Sequence, residues 1–155
     1  MKVTAVETIR CEEFSNLLWV QLLTDEGLTG LGETFYGPAA AEAHIHQMIA
    51  PKLIGQDPRN IERLQSELIG YVGFVGSSAE MRGASAIDIA LWDIFGQSVG
   101  LPLCDLLGGR VRDRIKVYNT CPGYTYVQTK VTQGTDNFGL DAVRGDFEDL
   151  DAFLN

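Results

Sequence analysis

The stretch from Ala84 to Gly108, ASAIDIALWDIFGQSVGLPLCDLLG, restricts the possible folds more than any other part of the chain. Its apolar residues Ala84, Ile87, Leu91, Ile94 and Phe95 recur at helical spacing. A helix from Ala79 to Val99 would be about 32 Å long at ~1.5 Å per residue. Gly100 is placed to stop it, and Pro102 cannot continue it. Gly83, Ala84, Ser85, Ala86 and Ala90 are small, so a second element can approach closely and the helix is expected to be buried. Asp88 and Asp93 interrupt the apolar pattern, and a buried carboxylate left unpaired is costly. The expected partners are Arg82 for Asp88 and a basic residue such as Arg110 for Asp93, as structural ion pairs tying one part of the chain to the next.

Read position by position, the stretch opens with the small cluster Ala84, Ser85 and Ala86 and the apolar Ile87. It continues through Asp88, Ala90, Asp93, Gly96 and Gln97, and closes on Pro102-Leu103 and Leu106-Leu107-Gly108. This order resembles the first signature of the mandelate racemase/muconate lactonizing branch of the enolase superfamily, with no departure at those positions. A match spread over about 25 residues is far more specific than a short loop motif such as G-x-G-x-x-G.

Before the helix, residues 2–10 alternate as a strand, Leu17–Thr24 forms a second, and Leu28–Phe35 a third in which Gly30 and Gly32 weaken the propensity. Asp25-Glu26-Gly27 is a turn, so the three strands are predicted to form an antiparallel meander. The connection Cys11–Asn16 is polar and reads as mobile. A helix is predicted over Ala39–Leu53, with Ile45, Met48, Ile49 and Leu53 on its apolar face and a kink or early end at Pro51. Gly55 closes it. Asp57 is expected to cap a further helix with Pro58 at its first position and Ile61, Leu64, Leu68 and Ile69 as the buried face. Residues 70–78 read as a loop, and Leu101–Leu107 as a short helical turn ended by Gly108-Gly109. Ile115–Tyr118 reads as a strand, residues 123–147 as a long loop, and Glu148–Leu154 as the start of a helix. Strands followed by helices give an α+β class.

The chain has 155 residues, with 21 acidic against 12 basic side chains and a net charge of −9. That balance argues against nucleic acid or an anionic membrane surface as a partner. No apolar run approaches the ~18 residues of a membrane-spanning helix, and MKVTAVETIR lacks the apolar core of a signal peptide. The three cysteines, Cys11, Cys104 and Cys121, are odd in number and lack C-x-x-C spacing, so zinc and disulfide frameworks are disfavoured and a cytoplasmic location is expected.

The resemblance implies an enolase-like N-terminal capping domain over 1–112 and the truncated start of a (β/α)8 barrel over 113–155. A whole barrel takes roughly 250 residues. It further implies a Mg²⁺-dependent enzyme that abstracts the proton beside a substrate carboxylate. In the family the metal carboxylates and the Lys or His bases stand on later barrel strands, which this sequence does not contain, so no metal-ligand or catalytic role is assigned to any residue here. The two capping loops map onto Cys11–Asn16 and Thr34–Gly37, making Phe14, Asn16, Phe35 and Tyr36 the candidate substrate-facing residues; packing of Phe35 and Tyr36 under the first helix is the alternative. Asn119 and Cys121, at the carboxyl end of the first barrel strand, are further candidates, set against core packing for Cys121 and a turn bond for Asn119. The expected substrate is a small carboxylate such as an acid sugar, and a homo-oligomer is expected. Dehydration is the first choice of reaction. The alternatives are a racemase or cycloisomerase, or a non-catalytic α+β binding or dimerisation module if the chain is only 155 residues.

Two clusters do not qualify as metal sites. His44 and His46, two apart on a helix, point to different sides and read as a solvated face. Asp146, Glu148, Asp149 and Asp151 lack calcium-loop spacing and read as acids favourable to a helix N-terminus.

Overall fold

The computed structural model describes residues 1–69 and 78–116. Three strands, β1 (Val3–Ile9), β2 (Leu17–Thr24) and β3 (Thr29–Phe35), form an antiparallel sheet in the order β1-β2-β3. The predicted meander is thus present, and β3 starts one residue later than its sequence pattern indicated. β2 pairs from Leu17↔Phe35 to Leu23↔Thr29 on one side, and β1 contains an irregularity between Val3 and Ala5. The turn at residues 25–27 closes through Gly27, whose φ of 80° suits a residue without a Cβ.

Period-2 alternation aims Leu18, Val20 and Leu22 of β2 at the helices, where all three are fully buried. Against that face pack Ile45, Ile49, Leu53, Ile61 and Leu64, and from α4 (Ala79–Val99) Ala86, Ile87, Ala90, Leu91 and Ile94. α4 has the span its sequence predicted, and it ends on Gly100 in the left-handed conformation (φ 68°). α5 (Leu103–Leu106) follows, and Gly108 and Gly109 at φ 103° and 93° break the chain direction.

The helix predicted over Ala39–Leu53 is three joined pieces: α1 (Pro38–His44), a π-helical turn (Ile45–Ile49) and α2 (Ala50–Leu53). The Ala50 N–H bonds the carbonyl of Ile45, five residues back. Pro51 has no N–H and its ring crowds the carbonyl four residues earlier, so the widened turn absorbs it without ending the helix. The same widening rotates Met48 off the predicted apolar face. It is 53% exposed, while Ile45, Ile49 and Leu53 are buried.

Asp57 does not cap a helix. Its Oδ1 accepts from the Arg59 N–H at 3.0 Å and its carboxylate is gripped by the Arg59 guanidinium at 2.7 Å, which holds its pKa down to about 2. It builds a turn, and α3 (Ile61–Ile69) begins beyond it. The connection 11–16 contains a 3₁₀ turn, Glu12–Phe14.

The expected pairs of α4 are also replaced. Asp93 Oδ2 accepts from the Leu31 N–H at 2.8 Å, and Arg82 turns away from Asp88 to the end of β3. Asp88 is half-buried beside the Gln65 amide. Burial pushes its carboxyl pKa up, only partly offset by that amide, and the nearby Glu62 adds to the rise. His46 is not merely solvated. Its Nε2 lies 2.8 Å from the Thr8 hydroxyl, which also meets Glu42 Oε1 at 2.9 Å and so links β1 to α1.

Of the strand expected at Ile115–Tyr118, only Ile115 and Lys116 are described, both exposed and outside regular structure. The loop expected at 70–78 (all but Ser78), the loop expected at 123–147, the helix start expected at Glu148–Leu154 and the acidic residues Asp146 to Asp151 lie outside the described residues.

β3 turns the bare backbone of Gly30 and Gly32 to α4. A Cβ at Gly32 would fall on the Ala86 carbonyl, and one at Gly30 on the Ala90 carbonyl. Gly32→Ala is expected to destabilise the fold by about 3 kcal/mol, because two backbones must separate. Gly27→Ala, with open space around it, should cost only about 1 kcal/mol of backbone strain. Urea denaturation of the purified protein checks both.

Candidate functional site

The two expected capping loops meet at one end of the sheet. β2 begins at Leu17 opposite Phe35, the last residue of β3, so the segments flanking this pair are brought side by side by register alone. The Tyr36 N–H donates to the Asn16 carbonyl at 2.9 Å and ties the loops together.

Asn16 continues the inward alternation of Leu18, Val20 and Leu22, and is 1% exposed. Its Nδ2 and Oδ1 are both buried without a hydrogen-bond partner. An amide orphaned in this way costs about 1–3 kcal/mol per unmade group. Such a group calls for an explanation, and a ligand arriving from the loop side is one.

Tyr36 has φ 65°, the one non-glycine residue with positive φ among those described. An aromatic residue in this region is strained by about 1–3 kcal/mol and is held there by its surroundings. Arg82 of α4 lies against it. Its Nη1 donates to the Phe35 carbonyl at 2.7 Å, and its guanidinium carbon lies 5.2 Å from the Phe35 ring centre and 5.1 Å from that of Tyr36. Both distances are in cation–π range. The two rings therefore lie against Arg82 of α4.

Phe14 is half-buried and meets Trp19 edge-on, centres 6.3 Å apart at 86°. The Trp19 indole N–H in turn donates to Glu33 Oε2 at 2.8 Å. Asn16, Phe35 and Tyr36 thus form one group, and Phe14 lies apart from it, packed edge-on against Trp19 of β2. Asn119 and Cys121 lie outside the described residues. Arg82 and Trp19 were not foreseen as parts of this end. Arg82 is 47 residues from Phe35, and no local pattern in the sequence links them.

Among the described residues, no cluster of three or more His, Cys, Asp or Glu side chains is arranged to hold a metal ion. No helix among them is long and apolar enough to cross a membrane.

The family model for the mandelate racemase/muconate lactonizing enzyme N-terminal domain matches residues 2–108. A D-mannonate dehydratase of Novosphingobium aromaticivorans is 37% identical over 147 residues, which cover 93% of this chain and 37% of that protein. The chain thus spans little more than a third of that relative's length. Among solved structures, an enolase of the mandelate racemase subgroup from Agrobacterium tumefaciens shares 54% identity at a TM-score of 0.74, covering 79% of this chain and 34% of that one. An enolase from Pantoea ananatis with bound D-gluconate and Mg shares 37% identity at a TM-score of 0.67, covering 72% and 28%.

The orphaned amide makes a prediction independent of any activity. Asn16→Leu keeps the volume and removes the unmade bonds, so it should raise the stability of the ligand-free protein by about 1–2 kcal/mol. A rise in the urea midpoint with an unchanged slope is the expected result.

Proposed function

This chain belongs to the mandelate racemase/muconate lactonizing enzyme family of the enolase superfamily, and on that premise we propose that it supplies the substrate-covering N-terminal part of an acid-sugar dehydratase. The observation that carries the proposal is the buried, unpartnered Asn16 amide at the junction of two joined loops. A site built to hydrogen-bond a hydroxyl leaves its own polar groups unmade when that hydroxyl is absent. A polyhydroxy carboxylate offers such a group, and the relatives named for mannonate and found with D-gluconate support that class.

In this reading residues 1–112 are the cap and 113–155 the opening of a barrel. Phe14, Phe35 and Tyr36 exclude water over the substrate, Asn16 orients one of its hydroxyls, and Asn119 and Cys121 stand at the barrel mouth. Mg²⁺, which demands hard oxygen ligands in near-octahedral geometry, does not fit the residues described here. Its ligands and the base that takes the proton beside the carboxylate are assigned to barrel strands outside the 155 residues. The reaction removes that proton and the hydroxyl on the next carbon as water, leaving a keto acid. A cytoplasmic, homo-oligomeric protein is the accompanying proposal.

The test is turnover of a panel of aldonates and aldarates by the full-length protein with Mg²⁺, read as keto-acid formation. Asn16→Leu should lower kcat/KM on the best substrate by about a hundredfold. A wild-type protein silent on every sugar acid, or an Asn16→Leu variant as active as wild type, would overturn the proposal.

A further inference from the structure

We propose that Arg82 is the positioning residue that holds the loop Thr34–Gly37 over the site, acting through Phe35 and Tyr36 and touching no substrate itself. This rests on the capping role proposed above. Three contacts converge from one guanidinium: the 2.7 Å bond to the Phe35 carbonyl and the two ring faces at 5.2 and 5.1 Å. They bracket the one strained non-glycine residue described, Tyr36 at φ 65°. Tyr36 in turn bonds the Asn16 carbonyl at 2.9 Å.

The chain of contacts therefore runs from α4 through the second loop to the backbone of the buried amide. A planar fork that donates and stacks at once is a property of arginine that lysine lacks. Without it, the restraint that α4 places on Tyr36 through these three contacts is lost, and the residue can relax to negative φ. Relaxation would swing the ring and loosen the Asn16 tie, so the loop would spend less time in the covering position. A substrate would then meet a site that must first be re-formed, and its apparent affinity falls by the fraction of time the loop is in place.

Two readouts test this on the full-length protein. The first needs no activity: chymotrypsin cleavage after Phe35 or Tyr36 under native conditions. Arg82→Met should speed it by about tenfold while cleavage elsewhere in the chain stays slow, since cleavage follows the open population of this loop. Equal rates in wild type and variant would overturn the clamp.

The second readout is kinetic. Arg82→Met should raise KM for the best sugar acid by about tenfold with kcat altered by less than about threefold, and Arg82→Lys should recover only part of the loss. In a Tyr36→Gly background, where the strain is gone, Arg82→Met should cost less than about twofold, because the two changes act through one contact. Full rescue by lysine, or fold-changes that simply multiply, would overturn the assignment. If Arg82→Met does not fold, Phe35→Leu, which removes one ring but keeps the carbonyl bond, should show smaller changes in both readouts; no change in either counts against the clamp. A wild type inactive on sugar acids would overturn the proposed function alone and leave the cleavage test of the clamp standing.

Discussion

The backbone of α4 rests directly on the backbone of β3, and most of the described structure follows from that contact. Gly30 and Gly32 leave no side chain between strand and helix, so the Ala86 and Ala90 carbonyls occupy the space where Cβ atoms would stand. β3 is an edge strand, and two of its outward groups are met by the same helix: Asp93 takes the Leu31 N–H at 2.8 Å and the Gln97 amide donates to the Thr29 carbonyl at 2.8 Å. An edge closed by side chains cannot recruit another strand there. The contacts form a ladder running in opposite directions along the two elements, from Gln97–Thr29 to Arg82–Phe35. Fifteen helical steps cover about 22 Å at ~1.5 Å each. Six strand steps cover about 20 Å at ~3.3 Å each. The two spans agree, so a helix lying along this strand can hold every rung at once.

That ladder gives physical content to the family signature. Ala90, Asp93 and Gln97 are positions where α4 meets β3, and Gly96 faces the Leu101 carbonyl in the turn after the helix, where a Cβ would come within 3.0 Å. Asp88 is the exception, since it turns to Gln65 of α3. At most of these positions the signature encodes how a helix docks on an edge strand, not the chemistry of a reaction. A chain whose described residues hold no metal cluster can therefore carry the signature in full.

The legible parts of the molecule were those fixed by local periodicity. Leu18, Val20 and Leu22 show the period of β2, and extending it back by two places Asn16 on the inner face, so its burial was readable even though its missing partners were not. Gly100 and Pro102 fixed the end of α4. The glycines of β3 read as weak propensity because their reason lies about 60 residues away in α4, where Asp93 meets Leu31. Pro51 signalled a disturbance, yet choosing between ending a helix and widening it depends on whether Ile45, Ile49 and Leu53 all find the core, which is a tertiary matter. Asp57 misled because Asp-Pro starts a turn as readily as a helix, and Arg59 decides between them with a carboxylate grip no periodicity records. Arg82 was assigned to Asp88 by proximity in sequence. It went instead to a carbonyl and two rings that the fold brought to it.

Local rules are kept through most of the described residues and are broken together at one end of the sheet. There a buried amide is unpaired, an aromatic residue sits at positive φ, and a guanidinium lies over two rings at the end of an edge strand. Departures that coincide in space are expected where function has overridden stability. They are also mechanically joined, because the Tyr36–Asn16 backbone bond makes the two loops one body. The bond itself involves only main-chain atoms, and the Phe35 and Tyr36 rings that flank it lie against Arg82 of α4. A docking ladder that carries a main-chain-linked pair of loops therefore sets the position of this end of the sheet from α4.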